Sequence, residues 1–407
     1  MPSNLPKKIL YVENGIGYGG AIICLRHLLR NLDRTRFKPM VVTGRSGPQY
    51  QEIASEAEWK HIPDRHIDIV GAHRKIDPIR WIDKPPGLRF VVNQLLARAD
   101  DLINFLPFFI HLLWTALRFK PDLIHANNEP LCNRAALLVG KLLKTPTLCH
   151  VRGDQDGSRL MKWAFKLPTH FIAVSRWVAD SIHVKMGIPH KQISTIYDGL
   201  EMPDLDRQAD GKSFRRVAAI NDDDFAVGLV GMLIPWKGQE IFLEAAKLLQ
   251  DEIPKLKMVC IGGTPDDFIP YEHKLRNQVR DIGLENTVIF SGHYADMPTV
   301  YNGLDIVVSA STSPEPLGVV VVEAMAMSRP VIAPDHGGAV EIIENHETGR
   351  LFKARCATGL AEAIADLYWS KEKRRTLGEA ARNHVLSTFS AHTNAMNVQN
   401  IYTTLLK

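Results

Sequence analysis

Residues 311–351 read STSPEPLGVVVVEAMAMSRPVIAPDHGGAVEIIENHETGRL, and the organisation of the chain follows from this stretch. Glu315 stands eight residues before Glu323, and Pro316, Leu317 and Gly318 open an apolar run of helical character between them. With Gly318 at the helix start, the first-turn amides are free to meet an anion. Glu323 then falls about one and a half turns into the helix, near the same place. Both carboxylates are positioned to accept hydrogen bonds from hydroxyl groups, the stronger, charge-assisted kind. In isolation, the same two glutamates serve equally well as a helix cap and as half of a solvated ion pair.

Outward from this block, strand-like and helix-like segments alternate. Ahead of it, Ala226–Val230, Lys257–Ile261, Thr287–Ser291 and Asp305–Ser309 read as strands, and Pro330–Ala333 follows as another. Helical patterns fit Gln239–Leu249, Glu272–Ile282, Val319–Met327 and Thr358–Tyr368. The first half repeats the rhythm, with strands at Ile9–Val12, Met40–Thr43, Leu123–His125, Thr147–Val151 and Phe171–Ser175 and a helix at Ala21–Leu32. Such β-α-β alternation predicts parallel sheets covered by helices on both faces. The polar, Asp-rich stretch Asp198–Asp224 interrupts it and is read as a linker. The expected fold class is therefore α/β, with two Rossmann-like doubly wound domains facing a central cleft. Their boundaries fall at residues 1–200 and 201–389. In such sheets ligands sit at the carboxyl ends of the strands.

Composition narrows the function classes. The chain has 407 residues, of which 45% are hydrophobic and 23% charged, which excludes collagen-like, disordered and disulfide-scaffold proteins. Cys24, Cys132, Cys149, Cys260 and Cys356 lack metal-ligand spacing and point to a reducing compartment. No signal-peptide pattern precedes Ile9, so a cytoplasmic location is expected. The net charge of +4 divides unevenly, with residues 1–200 carrying +11 and the remainder −7. A basic half attracts anionic lipid, a phosphorylated acceptor or nucleic acid. Within it, Leu102–Leu117 is almost continuously apolar but interrupted by Pro107. It reads either as a buried helix or as an interfacial helix on an anionic membrane, with Arg74, Lys75, Arg80, Lys84, Arg89 and Arg98 upstream. It does not read as a spanning helix.

Gly15-Ile16-Gly17-Tyr18-Gly19-Gly20 lies between the first strand and the first helix and fits a phosphate-cradling loop. A dinucleotide enzyme of the NAD type needs an acid at the end of the second strand. Here that strand ends Thr43-Gly44-Arg45, which leaves an NADP-linked oxidoreductase using Arg45 as one alternative.

The block from Glu315 through Glu341 resembles the retaining glycosyltransferases of the GT-B fold, family four, also called glycosyl transferases group 1. Val230-Gly231-Met232-Leu233 with Lys237-Gly238 is similar to that family's diphosphate-binding loop. Val174-Ser175-Arg176, Ile196-Tyr197-Asp198-Gly199, Ser291-Gly292-His293 with Tyr301, and His150-x-Arg152 fit further anchors. The resemblance implies a metal-independent transferase without a cofactor, moving sugar from a nucleotide-diphosphate donor to a hydroxyl of a glycan or glycolipid acceptor of the cell envelope. It implies catalytic roles for His150, Glu315 and Lys237. Donor binding would involve Gly19, Gly20, Arg152, Met232, His293, Leu317, Gly318, Val319 and Glu323. Lys237 would hold the diphosphate, Glu315 the sugar and Glu323 the ribose, with nucleic acid absent from the expected partners. A C-terminal helix over residues 390–407 would pack back on the first domain. Met232 stands where the family commonly has an arginine, so a non-catalytic nucleotide-sugar-binding protein is a further alternative.

Overall fold

The computed structural model describes residues 5–15, 20–64, 91–92, 95, 98, 100–155 and 157–407. Two compact units divide the chain. The first comprises Met1–Ala173, Val178–Ile196 and Ala395–Lys407, and the second Val174–Trp177 with Tyr197–Asn394.

The first unit holds a seven-stranded sheet in the order β3-β2-β1-β4-β5-β6-β7. Its strands are β1 (Lys7–Glu13), β2 (Phe37–Thr43), β3 (Glu58–His61), β4 (Leu123–Ala126), β5 (Thr147–Val151), β6 (His170–Ala173) and β7 (Ile193–Thr195). All pairings are parallel, with β1 between β2 and β4. The pleat of β1 sends alternate residues to opposite faces. Ile9 and Tyr11 enter one apolar cluster, with helix α1 (Gly20–Arg30) and the C-terminal helix Ala391–Leu405. Leu10 and Val12 enter another, with helices α2 (Leu106–Phe119) and α3 (Arg134–Leu143). Tyr402 of the C-terminal helix is fully buried in the first cluster. Its hydroxyl donates to that of Tyr11 at 2.9 Å and meets His125 Nδ1 at 2.6 Å.

Helix α2, preceded by a π-type turn over Asp101–Phe105, covers the sequence segment Leu102–Leu117. The buried-helix alternative for this segment is corrected by the structure. Phe108, Leu112, Ala116 and Phe119 pack on the sheet, while Leu106, Ile110, Trp114 and Leu117 are exposed. Together with the preceding turn, the span Asp101–Phe119 is long and apolar enough to cross a membrane by length and composition. One of its faces is nevertheless committed to the sheet, where each fully buried leucine or phenylalanine is worth about 1.5–3 kcal/mol. Arg74, Lys75, Arg80, Lys84 and Arg89 lie outside the described residues.

The second unit holds a six-stranded parallel sheet in the order β10-β9-β8-β11-β12-β13. Its strands are β8 (Phe225–Val230), β9 (Leu256–Ile261), β10 (Val288–Gly292), β11 (Ile306–Val308), β12 (Val331–Pro334) and β13 (Arg350–Phe352). The helices relevant to the site are α4 (Gln239–Leu249), α5 (Ile269–Asp281), α6 (Val319–Ala326) and α7 (Ala357–Tyr368). The Asp198–Asp224 stretch is more ordered than its composition suggests. Gly211–Val217 forms a helix capped by the Asp210 carboxylate, and Phe214 is buried beneath it.

In both sheets the strand order reverses beside the first strand of the unit, between β1 and β4 and between β8 and β11. Loops leaving adjacent strands at such a reversal diverge to opposite faces and leave a crevice at the carboxyl ends. That crevice is where each unit gathers its polar residues.

Candidate active site

In the second unit, β8 ends at Val230 and feeds the loop that carries Lys237. The neighbouring strand β11 ends at Val308 and feeds the loop that carries Glu315. The reversal brings these side chains together across 78 residues of sequence, with Lys237 Nζ 2.8 Å from Glu315 Oε1. The pair is mostly shielded, at 14% and 17% side-chain exposure. Ser311 donates its hydroxyl to the same carboxylate oxygen. The Lys237 ammonium also lies 4.4 Å from the Trp236 ring centroid, a cation–π contact that fixes the end of the side chain.

Two glycines shape this loop for stated reasons. Gly318 has φ +88° and precedes α6, so the chain turns into the helix with a backbone that a side chain would strain. Gly337 has φ +64°, and a Cβ there would lie 2.7 Å from the backbone N and O of Glu315. The turn after β12 therefore lies directly against the Glu315 segment, and the Gly338 amide donates to the Glu315 carbonyl at 2.8 Å. Leu317 is buried, Gly318 caps the helix and Val319 begins it.

Glu323 lies within α6. The buried phenol of Tyr301 donates to its Oε2 at 2.7 Å, while Oε1 accepts no hydrogen bond among the described residues. Burial pushes the Glu323 carboxyl above its ordinary value, opposed by the Tyr301 bond. Burial, together with the Glu323 charge, pushes the Tyr301 phenol well up. Met232 is 50% exposed, and its carbonyl accepts from the buried Gln239 at 2.9 Å. His293 is exposed beyond β10, near Gly263. Glu341 accepts from the amides of Arg176 and Trp177 at 2.8 Å each and from the Tyr197 hydroxyl at 3.1 Å. It thus organises the backbone of its own unit.

Comparison with known proteins matches both halves of the chain. Residues 210–384 match the family described as glycosyl transferases group 1, and residues 18–202 match glycosyltransferase family 4. The chain belongs to the GT-B glycosyltransferases of family 4. A GDP-mannose-dependent alpha-(1-6)-phosphatidylinositol monomannoside mannosyltransferase of Mycobacterium tuberculosis is 30% identical, over 38% of this chain and 40% of that protein. The lipopolysaccharide core mannosyltransferase LpcC of Rhizobium leguminosarum is 29% identical, over 44% and 51%. The chain spans about half the length of the curated relatives it matches. Among solved structures, Anabaena Alr3699/HepE in complex with UDP superposes with a TM-score of 0.79 at 22% identity, covering 98% of this chain and 100% of that one. A Rickettsia africae glycosyltransferase gives 0.80 at 20% identity, over 99% of each chain. At these identities the structural likeness establishes the two-domain GT-B fold.

The first unit gathers its own polar set where β1, β4 and β5 end. Glu13 accepts from the Gly15 amide at 2.8 Å and from Asn127 at 2.6 Å. Arg152 donates to the Asn127 carbonyl and lies 3.2 Å from His150 Nδ1. His150 is only 1% exposed. Burial, with Arg152 beside it, holds its imidazole well below the ordinary value, so it is neutral at pH 7. Gly20 opens α1 with open space around it, and Gly19 lies outside the described residues. A carboxylate on the Gly15 amide leaves that end of the loop unsuited to a dinucleotide pyrophosphate, and the oxidoreductase alternative is not favoured.

Sequence reasoning missed several of these residues. Ser311, Trp236 and Tyr301 hold the three named side chains in place; all three lie in recognised segments, but of them only Tyr301 is named as an anchor there. Glu13, Asn127 and Glu129 flank the reversal in the first unit, where burial pushes the Glu129 carboxyl up. For Asn127 and Glu129 the signal is Asn127-Asn128-Glu129 directly after an apolar strand.

Proposed function

We propose that the chain is a retaining glycosyltransferase that moves a sugar from a nucleoside-diphosphate donor to a hydroxyl of a cell-envelope polysaccharide or glycolipid intermediate. The observation that carries this reading is the Lys237–Glu315 pair at the reversal point of the second sheet. A donor's sugar and its diphosphate are adjacent groups. A carboxylate that accepts from sugar hydroxyls and an ammonium that faces phosphate, one hydrogen bond apart, match that adjacency.

Departure of the nucleoside diphosphate builds negative charge on the leaving phosphate. Lys237 and the first-turn amides of α6 are fixed before the reaction and stabilise that charge without reorganising. Glu323 Oε1 is left to accept from the ribose while Tyr301 holds the other oxygen. Glu315 is tied to Lys237 and Ser311, which supports a sugar-orienting role over that of an attacking nucleophile. The leaving phosphate then takes the acceptor's proton on the face it departs from, and anomeric configuration is retained. No metal or other cofactor is assigned to this step, since Lys237 supplies the cation.

The relatives point to the pathway class. HepE is described with UDP and with UDP-glucose, and the mycobacterial relative uses GDP-mannose. Applied here, they support a nucleotide-sugar donor and leave its base to experiment. We place the protein in the cytoplasm, in peripheral contact with an anionic membrane through the exposed face of α2.

The test is thermal stabilisation by UDP, GDP, ADP, CMP and NADP, followed by NMR of the product's anomeric centre. Ligand at about 100 times Kd adds about 2.7 kcal/mol of stability. Selective stabilisation by one nucleoside diphosphate and a retained anomer are expected. Stabilisation by NADP alone, or an inverted product, would overturn the reading.

A further inference from the structure

The amino ends of β1 and β2, away from Glu13 and Asn127, together with the edge strand β3 carry a second polar cluster. Lys8 and Lys38 stand directly opposite one another in the β1–β2 register. With Lys60 of β3 and Arg118 of the last turn of α2 they line a cavity of about 400 Å³, whose wall includes Trp114. Glu58 is the one carboxylate in that lining. None of the four cations forms an ion pair among the described residues. Lys60 donates to Thr115 Oγ1 at 2.8 Å, and its ammonium lies 5.3 Å from the Trp114 ring centroid. The Arg118 guanidinium stacks 3.4 Å from the same centroid. Four cations held together against one carboxylate repel each other, and an anion in the cavity relieves that repulsion.

The surroundings indicate which anion. Trp114 belongs to an exposed stripe on α2 with Leu106, Ile110 and Leu117, at the spacing of one helix face. The cation cluster therefore lies at the end of an apolar strip. A ligand matching both has a phosphate joined to a hydrocarbon, and an indole suits the boundary between them. We propose that Lys8, Lys38, Lys60 and Arg118 form a headgroup site for phospholipid of an anionic bilayer, with the α2 stripe seated at the acyl boundary. This site rests on the membrane contact proposed above and gives it a specific anchor within the first unit.

Flotation of the full chain with phosphatidylcholine vesicles, with and without phosphatidylglycerol, tests it. Wild-type protein floats only with the anionic vesicles, and added salt weakens the association. Lys38 and Arg118 are exposed, so the double variant Lys38→Gln/Arg118→Gln keeps the fold, verified by an unchanged thermal midpoint. It binds anionic vesicles about 25-fold more weakly, from about fivefold per cation. Ile110→Gln also weakens binding, through the stripe. Wild-type affinity in the double variant would overturn the headgroup site while leaving the membrane contact standing. Failure of the wild type to float with either vesicle would overturn both. Glycerol 3-phosphate or inorganic phosphate stabilising the wild type and not the double variant, without flotation, would assign the cavity to a free phosphate and overturn the lipid assignment.

Discussion

Glu315→Gln should tighten binding of the bare nucleoside diphosphate even as it slows transfer. In the structure the Lys237 ammonium is shared with Glu315 at 2.8 Å, and neither side chain is well exposed. A diphosphate that engages Lys237 must compete with that carboxylate and lie near its negative charge. Two unit charges 4 Å apart repel by about 1 kcal/mol even under water-like screening. Removing the charge is thus worth about fivefold in Kd. Lys237→Met acts in the opposite direction. It deletes a charge-assisted hydrogen bond of about 1.5–3 kcal/mol, which weakens the same ligand about 10- to 150-fold. Both variants lower kcat. A donor aimed at developing charge is worth about 100- to 1000-fold, and Glu315 orients the sugar. The assay is calorimetric titration with whichever nucleoside diphosphate stabilises the wild type, alongside turnover of its sugar conjugate. Opposite shifts in Kd with shared loss of turnover are expected. Equal or weaker diphosphate binding by Glu315→Gln would refute competition for Lys237, and unchanged binding by Lys237→Met would remove its diphosphate role.

Tyr301→Phe strips a buried carboxylate of its hydrogen bond, and a loss of about 1–3 kcal/mol in urea unfolding is expected, with weaker nucleoside-diphosphate binding. Gly337→Ala places a methyl group against the Glu315 backbone at positive φ, and should cost about 1–3 kcal/mol and lower kcat; unchanged values for both would show that the loop yields freely. His150 is held neutral in the folded state, so only the unfolded chain takes up its proton below about pH 6.5. Stability from this group is therefore lost as pH falls below that value, by up to about 1.4 kcal/mol per pH unit. His150→Gln should flatten that part of a thermal-midpoint profile between pH 7 and 5, and an unaltered slope would place the acid sensitivity elsewhere.

The central strands and longer helices were legible because they bury apolar residues in a period that the sequence displays. Gln239–Leu249 has the bounds its pattern predicts, and so does Thr147–Val151. The strands that went unread, β3, β7 and β13, all lie at sheet edges and span three or four residues. Glu-Trp-Lys-His at β3 is too short to show alternation, and its pairing with β2 is set by the neighbouring strand. The same division holds at the site. Glu315, Glu323 and Lys237 stand in recognisable local surroundings, but the contact between Lys237 and Glu315 depends on strand order, which no local window contains. For α2, hydropathy could not separate a helix apolar on all sides and enclosed from one with a face left outside.

The C-terminal helix has a consequence for synthesis. Tyr402 fills a hole in the first sheet's core between Tyr11 and His125, yet the ribosome releases it more than two hundred residues after the last strand of that sheet. At about 5–20 residues per second, the nascent sheet waits roughly 10–40 s for its missing piece. During that interval Tyr11 and its apolar neighbours lack their cover, while the second unit, nearly continuous from Tyr197 to Asn394, emerges. The core of the first unit is therefore completed only when the last helix arrives, and the amino-terminal half is the part of the nascent chain that longest leaves apolar surface uncovered.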